Sequence, residues 1–406
     1  MRIVEENSMK EYVALDELIE YGRNIAYGIV QPGKTVDHGI PMIRVNNFDN
    51  GRIELSNIIQ VSPEIEEKYS RTRLQGNEIL LTLVGSVGQT ALVDENMKNY
   101  NVARAVAVIP IKSGINRNWV KYYLDSNVPQ QYFKEELNTT VQATLNLKSV
   151  KKTPIWIPDD KYIEKAVATL TSIDRKIYIN NRSKETLENL ISAIYYKTLG
   201  IYSFSNDNKK VLDSWFESNV LDNITEVREK NKDEKNYPVL SVVKEGEFKA
   251  SEDVFTKQVY SKSTKNYKIV RRNQVAYNPA RANIGSIAML KEYDVGLVSP
   301  IYTVFEMKDT ITPTFFYYYM KQPIFQEMIK HHAIGTTRQN FPFEAFKMFP
   351  MVVPPMELQL KFEEMAKPIE QKIAKLKEEN EVLAEIRDTL LPKLMSGEMP
   401  VEVGEN

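Results

Sequence analysis

Two short apolar segments, Pro154-Ile-Trp-Ile-Pro158 and Pro350-Met-Val-Val-Pro354, lie 196 residues apart, and each is closed by proline at both ends. Upstream of each, the chain reads as short strands and turns. Ile79-Leu-Leu-Thr-Leu-Val84 runs into Gly85-Ser-Val-Gly88, and Arg104-Ala-Val-Ala-Val-Ile109 is a second such run, both bounded by turn formers as strands are. Downstream the apolar spacing becomes helical. In the second copy Leu358, Phe362, Met365, Ile369, Ile373, Leu376, Leu383, Ile386 and Leu390 recur at spacings of 3, 4 and 7, up to Pro392. The first copy carries Ile163, Val167, Leu170, Ile173, Ile177, Leu187, Leu190 and Ile194, with a polar waist at Asn180-Asn-Arg-Ser-Lys184. Each stripe predicts a helix of about 35 to 40 residues, roughly 50 to 60 Å long. Helices of that length need an apolar partner along them, and the helix of the other copy supplies one. Asn380 falls on the stripe, where a polar residue fixes register.

The same offset recurs along the chain. Trp119-Val-Lys-Tyr-Tyr-Leu124 matches Phe315-Phe-Tyr-Tyr-Tyr-Met320, and the two are followed by Pro129 and Pro323. Thr140 falls on Thr336, Lys151 on Lys347, and Ile173-Asp-Arg-Lys-Ile177 on Ile369-Glu-Gln-Lys-Ile373; Pro41-Met-Ile-Arg-Val45 matches Pro238-Val-Leu-Ser-Val242 with an offset of 197. A period this long is a duplicated domain pair rather than a solenoid unit. The predicted fold is α+β: two mixed α/β globular domains separated by two long antiparallel coiled-coil helices, duplicated about a pseudo-twofold axis. The expected boundaries are 1–156 and 204–352 for the globular domains, 157–203 for the first helix, and 353–406 for the second helix and tail.

Composition bounds the chemistry. The 406 residues are 42% apolar and 26% charged, a soluble globular composition with room for two to four cores. There is no cysteine, and the three histidines are His38, His331 and His332. Disulfide frameworks, Cys/His zinc sites and Cys-His nucleophiles are excluded together, and a reducing, cytoplasmic setting fits. The uncharged run Ile79 to Val93 has 15 residues and is broken by Gly85 and Gly88, short of the ~20 a spanning helix needs. Glu5, Glu6 and Glu11 stand where a signal peptide would be apolar, so neither export nor membrane insertion is expected. The 53 Lys and Arg against 54 Asp and Glu leave a net charge of −1, which taken alone argues against a nucleic-acid partner.

Three enzyme-like spellings fail in context. Gly28-Ile-Val-Gln-Pro-Gly33-Lys34-Thr35 satisfies the Walker A pattern, and Ala91-Leu-Val-Asp-Glu95 loosely resembles a Walker B end. This spelling carries the alternative reading, a P-loop-like nucleotide-hydrolysing enzyme. The mechanism needs a strand before the loop and a helix opening at Lys34. Instead His38-Gly39 and Pro41 follow, Ile40 to Val45 reads as a strand, and Pro32 removes a backbone donor. Pro158-Asp159 with Asp174-Arg-Lys176 spells a PD…DxK nuclease pattern whose carboxylates would hold magnesium. Those residues lie in a helical stretch, however, and the second copy offers only Glu370-Gln-Lys372. Asn278-Pro-Ala-Arg281 begins like a base-methylation motif and then departs from it.

With those set aside, the residues resemble the specificity subunit of a type I restriction-modification enzyme over nearly the whole chain. In the second copy the resemblance rests on Asn278-Pro-Ala-Arg281, Ile284-Gly-Ser-Ile287, Val298-Ser-Pro-Ile-Tyr302, Thr336-Thr-Arg-Gln-Asn340, the helix entry Pro354-Pro-Met-Glu-Leu-Gln359 and Leu390-Leu-Pro-Lys-Leu-Met-Ser-Gly397. In the first it rests on Ile40-Pro-Met-Ile-Arg-Val-Asn-Asn47, Gly51-Arg-Ile53 and Gly76-Asn-Glu-Ile-Leu80. Pro158-Asp-Asp-Lys-Tyr-Ile163 lacks the Glu-x-Gln entry, and Val141-Gln-Ala-Thr-Leu-Asn146 is a looser form of the threonine-rich turn. The resemblance implies a noncatalytic, sequence-specific DNA-recognition subunit serving DNA methylation and host defence. Each globular domain would be a target-recognition domain reading one part of a bipartite, asymmetric double-stranded DNA target. The helices would space the domains and dock two methyltransferase subunits, and through them endonuclease/translocase subunits. No cofactor or metal is implied for this chain itself; S-adenosylmethionine, ATP and Mg would belong to the partners.

Base edges are read by Arg, Lys, Asn, Gln, Ser and Thr on loops and strand ends. The candidates are Arg44, Asn46, Asn47, Ser86, Gln89, Thr90 and Arg104 in the first domain, and Tyr277, Asn278, Arg281, Asn283, Arg338 and Gln339 in the second. Asn46, Asn47 and Asn283 also fit ordinary turns, and Tyr277 also fits a core position. Trp119, Tyr122 and Tyr123 read as helix core. Ile163, Ile177, Leu187, Phe362, Ile373 and Leu383 are the candidates for partner docking on the helices. By segment, residues 204–352 carry 21 basic against 18 acidic groups and 353–406 carry 7 against 12, so the net of −1 averages a mildly basic domain with an acidic terminal helix.

Overall fold

A computed structural model describes residues 11–138, 144–200, 215–254, 263–333 and 340–399. The chain divides into two compact units, Met1–Asn180 with Glu378–Asn406, and Asn181–Lys377. Both long helices are therefore shared. Each globular domain takes half of each helix into its own unit, a division different from the four consecutive segments read in the sequence.

The first unit is built on a four-stranded antiparallel sheet in the order Ala26–Tyr27, Val106–Pro110, Glu78–Thr82, Thr90–Leu92. Its two central strands are buried along their whole length. Period-two alternation divides them between two cores. Ile79, Leu81, Ala107 and Ile109 pack with Trp119, Tyr123 and Leu170, whereas Leu80, Val106 and Val108 pack with Ile43, Leu74 and Val102. Both faces are covered, so the strands read as unbroken apolar runs. Trp119 and Tyr123 lie on the helix Arg117–Asp125, which begins where the Asn116 side chain accepts the backbone N–H groups of Asn118 and Trp119. Tyr12–Ala14 pairs antiparallel with Pro154–Trp156, tying the start of the domain to the segment that enters the first long helix.

The second unit repeats this plan. Its four-stranded sheet has the order Ile224–Val227, Thr303–Met307, Val275–Tyr277, Ile287–Met289, and Phe216–Asn219 pairs antiparallel with Pro350–Val353. The helix Pro313–Met320 opens with Pro313 in its first turn and the Thr312 hydroxyl accepting the Phe315 N–H. It occupies the place of Arg117–Asp125, as the 196-residue offset predicts. The indole of Trp119 donates to the Trp156 carbonyl at 2.8 Å, and the phenol of Tyr319 donates to the Pro350 carbonyl at 2.7 Å. In both copies a helix aromatic thus hydrogen-bonds the strand that leads into a long helix.

The long helices are Asp160–Tyr195, 36 residues, and Met356–Ser396, 41 residues, about 54 and 62 Å at 1.5 Å per residue. Within the first unit Tyr162 donates to the Leu394 carbonyl, Arg387 pairs with Asp174, and Asn180 donates to the side chain of Asn380 at 2.9 Å. Within the second, Tyr195 packs edge-on against Phe362. In the first unit positions rise along one helix as they fall along the other, so the segments there run antiparallel. Asn180 is buried and also donates to Glu379 at 2.9 Å. A displaced pairing would leave these amides facing apolar side chains, which is how such a pair selects register. No helix among the described residues is long and apolar enough to cross a membrane.

Candidate nucleic-acid interface

Corresponding connections in the two sheets carry most of the exposed candidates. In the first unit the link between Glu78–Thr82 and Thr90–Leu92 places Ser86 and Gln89 in solvent. The connection is rigid. The Thr82 hydroxyl donates to the Ser86 carbonyl, and Gly88 donates its N–H to the Thr82 carbonyl at 3.0 Å. Gly88 has φ +90°, and a Cβ there would lie 2.6 Å from Gln130 Oε1, so both backbone conformation and space require glycine. Leu83 donates to the Ala105 carbonyl at 2.7 Å, and Ala103 donates to the Ile43 carbonyl at 2.8 Å. These two bonds draw the segments bearing Arg104 and Arg44 to the same end of the sheet. Arg104 and Asn46 are exposed; Arg44 is half-buried and donates to the Asn57 carbonyl at 3.2 Å.

In the second unit the equivalent connection runs from Asn278 to Ser286. Asn278 donates its N–H to the Ser286 carbonyl at 3.1 Å, Arg281 donates to the Asn278 carbonyl at 2.9 Å, and the Asn278 side chain accepts the Ala280 N–H at 3.1 Å. Gly285 has φ +97°, and a Cβ there would lie 2.3 Å from the Lys244 carbonyl oxygen. That close approach fixes the connection against the hairpin Leu240–Val242/Phe248–Ala250. The Arg281 side chain is exposed, and Asn283 is half-buried. Phe341 donates to the Pro279 carbonyl at 2.9 Å. Arg338 and Gln339, like Thr140 and Thr336 of the repeat, lie outside the described residues. Sequence reasoning missed Lys244, an exposed cation on the hairpin turn that packs against Gly285. Its signal was the turn spelling Lys244-Glu-Gly246 between two short apolar runs.

Three recognition candidates face inward, and the structure corrects them. Thr90 is buried and donates to Asp125 at 2.5 Å, beside the Lys121 ammonium at 2.9 Å from the same carboxylate. Burial pushes the Asp125 carboxyl above the usual carboxylate range, opposed by Lys121 and Thr90. Asn47 is buried and closes its own turn, accepting from the Arg44 N–H at 2.9 Å and donating to the Glu54 carbonyl at 3.2 Å. Tyr277 is wholly buried, its ring edge-on to Phe305, Phe341 and Phe346. All three side chains are turned away from the surface.

The docking candidates need correction as well. Ile163 and Phe362 sit inside the domain cores, and Ile177, Leu187, Ile373 and Leu383 are only half-exposed. The outward apolar side chains of the long helices are instead Tyr178, Ile179, Leu190, Val382 and Ile386, together with Leu358, Leu360 and Met365. A paired seam is narrower than an amphipathic stripe, so part of the stripe faces outward.

The enzyme spellings dissolve into structure. At residues 28–35 Ile29 bridges Ala103, no helix opens at Lys34, and the Thr35 hydroxyl bonds the backbone of Gln60 at 3.2 Å. Gly28 is required because a Cβ would lie 1.8 Å from the Val102 carbonyl oxygen. In the PD…DxK spelling, Asp174 binds Tyr122 and Arg387, and Lys176 pairs with Glu379 at 3.1 Å. Among the described residues no group of three or more His, Asp or Glu is placed to hold a metal.

Two copies of one strand-and-helix domain, each presenting a rigid polar connection and each seated on paired long helices, define a duplicated domain-and-helix architecture. The type I restriction modification DNA specificity domain matches residues 7–189 and again residues 218–386, and the chain belongs to that family. It is 31% identical over 191 residues to the specificity subunit of the type I restriction enzyme EcoBI from Escherichia coli. That match spans 45% of this chain and 40% of the relative, less than half the relative's length. To the HindI specificity subunit from Haemophilus influenzae it is 24% identical over 385 residues, 77% of this chain and 84% of that one. The crystal structure of a type I restriction-modification S subunit from M. genitalium shares the fold at 14% identity, with a TM-score of 0.57 covering 98% and 99% of the two chains.

Proposed function

We propose that this chain is the DNA-recognition subunit of a type I restriction-modification complex. It reads a bipartite, asymmetric target in double-stranded DNA and docks two methyltransferase subunits, through which endonuclease/translocase subunits join. The observation that carries this reading is the pair of corresponding connections, 83–89 and 278–286, built on one plan and bearing different exposed side chains. One fold repeated with unlike reading residues calls for two unlike half-sites. The chain performs no chemistry of its own; S-adenosylmethionine, ATP and Mg act in the partners. A cytoplasmic setting is supported by the lack of cysteine and by family membership.

The charge distribution supports a division of labour. With 21 basic against 18 acidic groups over residues 204–352, the domain is too weakly basic to grip phosphates alone, so affinity comes largely from partners enclosing the DNA. The test is co-purification with a methyltransferase subunit and mapping of genomic methylation, followed by exchange of residues 206–352 for those of a relative. One half of the methylated sequence changes and the other stays. Change in both halves, or in neither, overturns the reading.

A further inference from the structure

Beyond the apolar core that seats each globular domain on its long helix, polar contacts continue toward the middle of that helix, and in both copies a tyrosine of the aromatic helix and a hairpin supply two of them. In the first unit the buried Tyr122 donates its hydroxyl to Asp174 Oδ2 at 2.7 Å. The hairpin Phe48–Asp49/Arg52–Ile53 then sets the Arg52 guanidinium 4.2 Å from the centre of the Tyr178 ring, one helical turn beyond Asp174. In the second unit Tyr318 donates to Glu370 Oε1 at 3.1 Å, and Glu247, at the turn of the hairpin Leu240–Val242/Phe248–Ala250, meets Lys377 at 3.7 Å. Tyr122 and Tyr318 stand 196 positions apart, and so do Asp174 and Glu370. The hairpin contact uses different chemistry in each copy, cation over ring in one and ion pair in the other. A third group holds each acid: Arg387 on Asp174 at 3.4 Å, and Lys291 on Glu370 at 2.7 Å.

The buried apolar seat on the long helix ends at Leu170 in the first copy and at Ala366 in the second, and the part of the domain beyond it would be free to rock. Two contacts further along one helix face, four residues apart in the first copy and seven in the second, resist that rocking. We infer that Tyr122 with Arg52, and Tyr318 with Glu247, are positioning residues that fix the pose of each recognition domain on its long helix and thereby set the spacer length the chain accepts. The inference rests on the proposed DNA-reading function. A change of one base pair moves a half-site by about 3.4 Å and rotates it about the DNA axis, so a braced domain rejects what a rocking one tolerates.

The experiment uses the complex of the full chain with its methyltransferase subunits. Duplexes carry both half-sites at the native spacing, or one base pair longer or shorter, and initial methylation rates are compared. Wild type strongly prefers one spacing. Tyr122→Phe/Arg52→Ala and Tyr318→Phe/Glu247→Ala keep both half-site sequences but lose discrimination against the wrong spacers by about fivefold, the worth of one net hydrogen bond; Arg52→Lys, which retains a cation for the ring, restores it. Thermal unfolding identifies any variant that fails to fold, and for that case the isosteric Tyr122→Phe is measured alone. Unchanged spacer discrimination in folded variants overturns the brace and leaves the DNA-reading function standing. If the wild-type complex methylates no bipartite sequence at all, the DNA-reading function falls and the brace falls with it.

Discussion

The two copies share a sheet order, a helix pair, a proline-bounded entry into a long helix and a tyrosine bonded to a carboxylate on that helix, yet they differ in the side chains packed beside that bond. In the first copy the buried Thr90 and Lys121 meet the partly buried Asp125 beside Tyr122 and Asp174. In the second, Tyr317 occupies the place of Lys121 and Lys321 that of Asp125, and the core behind them is a mass of rings including Phe305, Phe315, Phe316, Phe325 and Phe346. Even where polarity is kept its kind changes. Glu78 is a buried carboxylate held by Arg23 and by the N–H groups of Gln75, Gly76 and Asn77, whereas its counterpart Gln274 is a neutral amide bonded to Arg271 and Glu306. The lesson is that the backbone plan tolerates a charged or an aromatic joint, provided every buried polar atom in the charged version has a partner.

The largest expected effect breaks that symmetry directly. Asp125→Ala strands the buried Lys121 cation and destabilises the first unit by about 3 to 5 kcal/mol, while Lys321→Ala, at an exposed position, changes stability by less than about 0.5 kcal/mol. Urea unfolding followed by separate probes in the two units checks the contrast, and equal losses would refute it. Next in size are the residues proposed to read DNA. Arg104→Ala and Arg281→Ala each reduce discrimination at one half-site by about 1 to 3 kcal/mol without affecting the other, as measured by methylation of single-substituted targets. Loss at both half-sites from one substitution would contradict the assignment of one domain to each.

Acid should also separate the copies. The Arg73 hydrogen bond holds the Glu66 carboxyl below the usual carboxylate range against the opposing effect of burial. A depressed folded pKa means stability that is fully present above the unfolded value, about 4.3 for glutamate, and lost as pH falls through the folded value. Asp125 works in the opposite direction, because burial raises its pKa and protonation relieves that cost as pH falls. Glu66→Gln therefore flattens the low-pH decline of the first unit and leaves the second unchanged; an unaltered pH profile would show the pair to be silent. The smallest effect concerns the helices. Asn380→Ala removes one net hydrogen bond to Asn180, about 1 kcal/mol, and shows as a modest drop in the denaturant midpoint.

Much of this architecture was legible beforehand, because duplication writes itself twice. The match of Trp119–Leu124 with Phe315–Met320, and of Pro154–Pro158 with Pro350–Pro354, located the helices and entry strands that the structure places in equivalent positions. The candidate interface was less legible. Ser86, Gln89, Arg104 and Arg281 emerge exposed, but Thr90, Asn47 and Tyr277 point inward. A threonine at the start of a strand looks the same in sequence whether its hydroxyl meets solvent or a partly buried aspartate 35 positions away.

The sequence by itself determined the duplication, the switch from strand to helix at each proline-bounded segment, and the length of the two helices. These are local or periodic properties, and apolar spacing records them directly. Only the tertiary structure decided which side chains on those elements face outward, which part of each apolar stripe forms the helix seam, and that the compact units share the long helices rather than leave them separate. Periodicity shows that a face is apolar; which face covers it depends on contacts between residues such as Tyr122 and Asp174, 52 positions apart in the chain.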